Sequence, residues 1–313
     1  MAISVIICCY NSSDKLPQTL KALSQQISIS DIDCEIILVN NNSTDDTVEV
    51  AVQTWAALGE PFPLHIVNED KAGLSFAREK GIASGKYEYV VFCDDDNWLC
   101  EEYLYKVNYL FGTKPEVALI GGVGEAVFEI AVPDWFNELN GFGYAIGAEG
   151  RETGYVESVY GAGMAMRKAV FTERIKDDFD FILSDRKGNS LVSGGDTEIS
   201  MLVSLAGYKI YLDTTLTFKH FLPPGRMDWR YYLKLRRSFG KANAYLSIYR
   251  EQLFPQLVVH RETSFLKKTA GLLKMIARNF PLSVFPVFYK SAYCANLTQE
   301  IALRMAYITE NKK

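Results

Sequence analysis

The sequence predicts an α/β fold, a parallel sheet covered by helices, followed by a helical C-terminal extension. Three observations carry this. Apolar runs of strand length alternate with amphipathic stretches through the first hundred residues. Each run stops at turn or helix-capping residues. The basic last third then changes to helical periodicity.

Ile3–Cys9 is the first expected strand, an unbroken apolar run rich in β-branched residues. It ends at Tyr10-Asn11-Ser12-Ser13, where a serine can cap a helix carrying Leu16, Leu20 and Leu23. Glu35–Val39 is the second strand, stopped by Asn40-Asn41-Asn42. Ser43-Thr44-Asp45-Asp46 then opens a helix whose first-turn acids suit the helix dipole. Leu64–Val67 reads as a strand, Ser75–Ala83 as a helix, and Tyr87–Cys93 as a strand leading into three aspartates. Beyond residue 115 the rhythm loosens. Leu119–Gly124 and Val156–Met166 are expected strands, with Trp135, Phe136, Phe142 and Tyr144 in the loop between them. Asp196–Ala206 reads as a helix closed by Gly207, and Tyr208–Leu212 as a strand.

The chain of 313 residues is long enough to bury a large core, and its 48% hydrophobic and 23% charged residues exclude a disordered polymer. Its net charge of −5 hides a division. Residues 226–313 hold 16 basic and 5 acidic residues (net +11), leaving 17 basic and 33 acidic (net −16) in residues 1–225. An acidic body and a basic tail suited to an anionic surface follow, with no nucleic acid implied. In Thr263–Asn279, residues Phe265, Thr269, Leu272, Leu273 and Ile276 share one helical face, while Lys267, Lys274 and Arg278 recur on another. Phe280–Tyr289 is apolar but broken by Pro281 and Pro286. The 11 residues between Arg278 and Lys290 are too few for a bilayer span, which needs about 20. A helical cap or dimerisation arm competes with a peripheral membrane contact for this segment. The six cysteines show no CxxC spacing, and MAISVIICCYN reads as a core strand rather than a signal peptide. A cytoplasmic location, at most at the inner face of the plasma membrane, is the expectation.

Asp94-Asp95-Asp96 follows the apolar strand Tyr89–Cys93 directly. Adjacent carboxylates repel unless a cation or hydrogen-bond donor lies among them. Mg²⁺ or Mn²⁺ takes one or two carboxylates plus substrate phosphates, and strand ends of open α/β sheets are where ligands bind. A solvated acidic loop is the plainer alternative.

The order ISVIICCYNSS, IILVNNNSTDDT, GLSFAREKGIASG, VVFCDDDNWL, GAGMAMRK, SGGDTEISMLVSLAGYKI and KHFLPPG resembles the family-2 glycosyltransferases. The resemblance covers residue 3 to about 225. It implies a GT-A (Rossmann-like) mixed sheet flanked by helices in residues 1–225, with 226–313 as the extension. It also implies a nucleotide-diphosphate sugar as donor and a saccharide or lipid-linked saccharide as acceptor, in bacterial surface polysaccharide or glycolipid assembly.

By that resemblance Asp94 and Asp96 form the DxD pair, with Asp96 the direct ligand of a divalent metal and Asp94 nearer the ribose. His220 matches an additional metal ligand of some members. Arg78 matches the arginine facing the donor diphosphate, a role suited to its fork. Tyr10, Asn11, Asn40, Asn41 and Asp95 are expected on the donor side. The asparagines replace an aspartate that usually contacts the base, and an Asn carbonyl can still accept that bond. A chain turn explains them equally. Asp196 matches the acid that deprotonates the acceptor hydroxyl in inverting members, although Gly195 stands where a glutamate usually precedes it. Glu198 is its rival, and a first-turn dipole role is the plain reading of both. Gly161, Ala162 and Gly163 resemble the floor of the acceptor site. Trp135 is the aromatic candidate for stacking on a sugar there. With Phe136, Trp229 and Tyr232 it could equally be core.

Processive members carry Gln-x-x-Arg-Trp and membrane spans. This chain has Leu235-Arg236-Arg237-Ser238-Phe239-Gly240 in that region, which implies single-sugar addition. A nucleotidyltransferase, or a degenerate fold that only binds nucleotide, are the competing readings.

Overall fold

The computed structural model describes residues 2–28, 31–139, 141–147, 151–175, 183, 193–255 and 265–310. Strands β1 (Ala2–Cys9), β2 (Asp33–Asn40), β3 (Leu64–Asn68) and β4 (Tyr89–Phe92) lie in the order β3-β2-β1-β4, all parallel. Helices α1 (Leu16–Ser24), α2 (Thr47–Ala57) and α3 (Leu74–Ser84) cross between them. The period of two sorts each strand's side chains. Ile3, Val5 and Ile7 join Ile36 and Leu38 against Leu16, Leu20, Leu23 and Trp55. Ile6, Ile37 and Val39 join Ala77 and Ile82 on the other face. Burial on both faces is why these strands read as continuous apolar runs.

The sheet continues as β4-β8-β6-β9-β5 with mixed directions. Strand β5 (Asn97–Leu99) leads through α4 (Tyr103–Thr113) to β6 (Val117–Phe128), and the short helix α5 (Asp134–Asn137) follows. Next come β7 (Gly154–Tyr155), β8 (Ala165–Arg167), α6 (Lys168–Val170), α7 (Gly195–Leu205) and β9 (Lys209–Leu222). Strand β8 runs antiparallel to both β4 and β6, while β9 is parallel to β6 and antiparallel to β5 and β7. The expected strand Val156–Met166 is a correction: only its last two residues pair, within β8. Gly161 and the left-handed Gly163 turn the chain before it, and Val159 is buried from an irregular segment.

A 3₁₀ turn (Pro224–Met227) opens the C-terminal helices α8 (Trp229–Tyr245), α9 (Ser247–Leu253), α10 (Phe265–Arg278) and α11 (Ala292–Glu310). Asp228 caps α8, accepting from the amides of Arg230 and Tyr231. Helix α8 puts Trp229, Tyr232, Leu233 and Leu235 into an aromatic core with Trp135, Phe136 and Tyr144. Its Ala242, with Leu246, joins the core beneath α3 and α7. The packing therefore runs across the expected boundary at residue 226. The expected tail helix is present, with Thr263 and Ser264 outside the described residues. Among those residues no helix is long and apolar enough to cross a membrane.

Candidate active site

Strands β2, β1 and β4 are neighbours and parallel, so Asn40, Tyr10 and the aspartate triplet emerge at one edge of the sheet. Tyr10 and the aspartates open onto a cavity of about 640 Å³. Its opposite wall comes from the 158–162 segment, the start of α7 and one side of α8.

The three aspartates meet different partners. Asp95 accepts from Ser12 Oγ and from Lys15 Nζ, the latter at 3.0 Å. Thr19 Oγ1 donates to its carbonyl. Burial, then the nearby Asp96, push the Asp95 carboxyl above its ordinary range, against the pull of Lys15. Asp95 thus fastens the acidic turn to the start of α1. Asp96 is 2% exposed and faces the cavity. Antiparallel pairing of β5 with β9 sets Asn97 opposite His220, bringing Asp96 Oδ1 to 3.7 Å from His220 Nε2. Arg226 reaches in beside them: Nη2 lies 2.9 Å from Asp96 Oδ2, and Nη1 lies 2.6 Å from His220 Nε2. Asp94 also lines the cavity.

A carboxylate oxygen and an imidazole nitrogen converging on one point suit a divalent ion such as Mn²⁺, which takes its remaining ligands from donor phosphates. Among the described residues no three His, Cys, Asp or Glu side chains converge. Asp96 and His220 are the pair the structure brings together. The pair fits such an ion, and Arg226 now makes the corresponding contacts.

Across the cavity, Asp196 stands in the first turn of α7, its Oδ2 accepting from the Gly161 amide at 3.0 Å and its Oδ1 from the Thr197 amide at 2.7 Å. Gly161 also borders Arg78. A Cβ at position 161 would lie 2.6 Å from Arg78 Nη2 and 3.4 Å from Asp196 Cβ. The absence of a side chain lets the guanidinium and the carboxylate flank one peptide. Arg78 is 8% exposed and lies over the Phe92 ring at 5.6 Å, which aims it from α3 into the cavity. Glu198, the rival base, is fully buried, accepting from Tyr249 Oη at 2.9 Å and the Leu183 amide at 3.0 Å.

Ten of the expected residues thus line one cavity: Tyr10, Asn41, Arg78, the three aspartates, Gly161, Ala162, Asp196 and His220. Four do not. Asn11 Oδ1 accepts from the Thr44 amide, and Asn40 bridges Asn68 and the Ser43 amide. Gly163 gives its carbonyl to Tyr103 Oη at 2.6 Å behind the loop. Trp135 lies in the aromatic core, 5.1 Å from the Trp229 ring and 5.6 Å from the Tyr232 ring, too deep to meet a sugar. Asn41 borders the cavity, yet its side chain is engaged in bracing residues 69–73. Its amide donates to the carbonyls of Glu69 and Lys71, and its Oδ1 accepts from Gly73. The turn reading of these asparagines accounts for them. Sequence reasoning missed Lys15, Arg226 and the Leu235–Phe239–Ala242 side of α8. The Pro-Pro-Gly-Arg turn just after His220 was the available signal for Arg226.

Residues 4–174, more than half of the chain, match the model of glycosyl transferase family 2. The chain is 35% identical over 96 residues to the cholesterol galactosyltransferase of Borreliella burgdorferi, covering 30% of this chain and 25% of that protein. It is 22% identical over 250 residues to the glucosyl-dolichyl phosphate glucuronosyltransferase of Haloferax volcanii, covering 77% and 76%. Several curated relatives are matched over only a quarter to a third of their own length. The mannosyltransferase PcManGT from Pyrobaculum calidifontis, solved with GDP-Man and Mn²⁺, superposes with a TM-score of 0.60 at 16% identity, over 99% of this chain and 86% of that one. TarS 1-349 of S. aureus with UDP gives 0.53 at 15%, over 99% and 92%. Likeness at this identity speaks to the fold. With a matched family model and a mixed sheet that opens an acidic turn onto a cavity, the chain belongs to glycosyl transferase family 2.

Proposed function

We propose that the chain is an inverting, single-addition glycosyltransferase that moves a sugar from a nucleotide-diphosphate donor to a hydroxyl of a saccharide or lipid-linked saccharide. The observation that carries this is Gly161, whose amide donates to the Asp196 carboxylate and whose missing side chain leaves room for the Arg78 guanidinium beside it. A phosphate-binding fork and a proton acceptor brought against one backbone segment suit an in-line displacement. Asp196 takes the acceptor's hydroxyl proton, the oxygen forms its bond to sugar C1, and the C1–O bond to the diphosphate breaks with its electron pair on the phosphate oxygen. Arg78 binds and orients that diphosphate and stabilises its growing charge. Asp96 and His220 would hold a divalent ion, which supplies Lewis-acid stabilisation of the leaving group. The two solved neighbours, one in complex with UDP and the other with GDP-Man and Mn²⁺, support a nucleotide-sugar donor and leave both bases to be tried.

The test is a panel of UDP- and GDP-sugars with and without Mn²⁺, read by thermal shift and by release of the nucleoside diphosphate. One donor is expected to raise the unfolding temperature and to hydrolyse slowly in the metal's presence. No protection and no turnover across the panel would sink the reading.

The C-terminal surface supports an acceptor presented at a bilayer. Leu266 and Leu273 of α10 are 75% and 61% exposed, and Phe280 follows at the same seven-residue spacing. Phe285 and Phe288 are exposed in the next turn, and Lys267, Lys274 and Arg278 lie on the exposed side of α10. Exposed apolar side chains beside basic ones suit an anionic headgroup layer. The Haloferax relative's name specifies a lipid-linked substrate, in keeping with this. At low salt the protein is expected to co-sediment with phosphatidylglycerol vesicles and not with phosphatidylcholine ones, and a Leu273→Glu, Phe288→Glu variant to stay in solution. Equal partition of the parent protein and the variant would remove the membrane role.

A further inference from the structure

We infer that Arg226 is an internal cation for the Asp96–His220 pair, and that a divalent metal ion and this guanidinium exclude one another there. The inference rests on the donor-site reading above and adds to it a reason for ordered binding. Arginine has no acceptor and does not deprotonate. At 2.6 Å from Arg226 Nη1, His220 Nε2 must therefore be the acceptor, so its lone pair points at the guanidinium. Asp96 Oδ2 accepts from Nη2 of the same fork at 2.9 Å. These two electron pairs are the ones a metal ion needs, since a ligating imidazole is neutral and a ligating carboxylate ionised. One group can use them at a time.

The surroundings allow the exchange without opening the fold. The backbone of Arg226 is fixed on both sides: its amide donates to the Pro223 carbonyl and its own carbonyl accepts from Tyr144 Oη, each at 2.9 Å. Only the long side chain has to move. The cavity that borders Arg226 also borders Arg78 and Asp94, so a diphosphate bound there offers the displaced guanidinium a new anionic partner. On a bare acidic turn metal and donor would be coupled only through the ligands a diphosphate gives the metal. With Arg226 seated on it, the protein disfavours metal until a diphosphate arrives, and the two bind with positive coupling.

The experiment is a Mn²⁺ titration of the full-length protein, followed by electron paramagnetic resonance, without nucleotide and with UDP or GDP. Arg226→Gln is expected to bind Mn²⁺ on the order of tenfold more tightly than the parent without nucleotide, with a smaller gain on adding diphosphate. Arg226→Lys, which keeps the charge but not the fork, is expected to lie between them and guards against a misfolded Gln variant. Asp96→Asn should abolish the Mn²⁺ signal in either background. Unchanged or weaker Mn²⁺ binding in both Arg226 variants overturns the inference, as does absence of Mn²⁺ binding in every protein. The two readings fail separately. Sugar transfer with no effect of Arg226 on Mn²⁺ affinity leaves the function standing, whereas the predicted Mn²⁺ behaviour without turnover of any donor removes the function alone.

Discussion

Asp196→Asn is expected to lower kcat for glycosyl transfer by about 10³-fold while leaving donor affinity within about twofold. The substitution keeps the size and one of the two anchors: the Gly161 and Thr197 amides meet different carboxylate oxygens, and the single Asn carbonyl can accept from one of them. What it removes is a group able to take a proton. Single-turnover kinetics with a saturating donor would isolate that step, and donor titration would show the binding unchanged. Glu198→Gln supplies the contrast. Its carboxylate serves Tyr249 and Leu183 inside the protein, so the change is expected to lower stability by about 1–3 kcal/mol and kcat hardly at all. A full loss of turnover in the Glu198 variant, with Asp196→Asn active, would reverse the assignment of the base.

The parallel half of the sheet was legible because local and global signals agree there. Ile3–Cys9 and Leu64–Val67 each fall within one residue of the strands formed, and Ser75–Ala83 within one residue of α3. Strand β1, buried on both faces, leaves an apolar run that no surface helix imitates, whereas the edge strand β3 is only partly buried. The mixed half was harder. Strand β9 continues ten residues past the expected Leu212, to Leu222, through Asp213-Thr214-Thr215, which carries the chemistry of a turn. Asp213 Oδ1 does accept from the Thr215 amide, and the register against β6 shifts between Gly121 and Val123, so the strand absorbs a local irregularity instead of ending. The site divides the same way. Asp94, Asp96 and Asp196 sit at element ends, and Arg78 within a helix, whose types the sequence reveals. The fork of Arg226 on Asp96 joins residues 130 positions apart through the β5–β9 pairing, and no local pattern encodes it. The asparagines Asn11 and Asn40 were placed with the donor because their loop borders it. Their short amides instead satisfy the backbone of that loop.

Trp135→Ala is expected to destabilise the protein by about 3–5 kcal/mol, a loss that chemical or thermal unfolding will register as a clear fall in midpoint. The ring is enclosed by Phe136, Trp229 and Tyr232, so truncation leaves a cavity that the rigid aromatic neighbours cannot close. The effect is also expected to reach the active site. Tyr232 is stacked on Tyr144 at 5.8 Å, and Tyr144 Oη holds the carbonyl of Arg226. Loosening the cluster therefore loosens the turn from which Arg226 reaches Asp96, and donor binding should weaken together with stability. Trp135→Phe, which keeps most of the packing, should recover the larger part of both. A sugar-stacking tryptophan would behave differently: the Ala variant would keep the parental unfolding midpoint and show a raised KM for acceptor alone. The two outcomes do not overlap, and the first ties the C-terminal helices to the catalytic body through one shared core instead of leaving them an appendage.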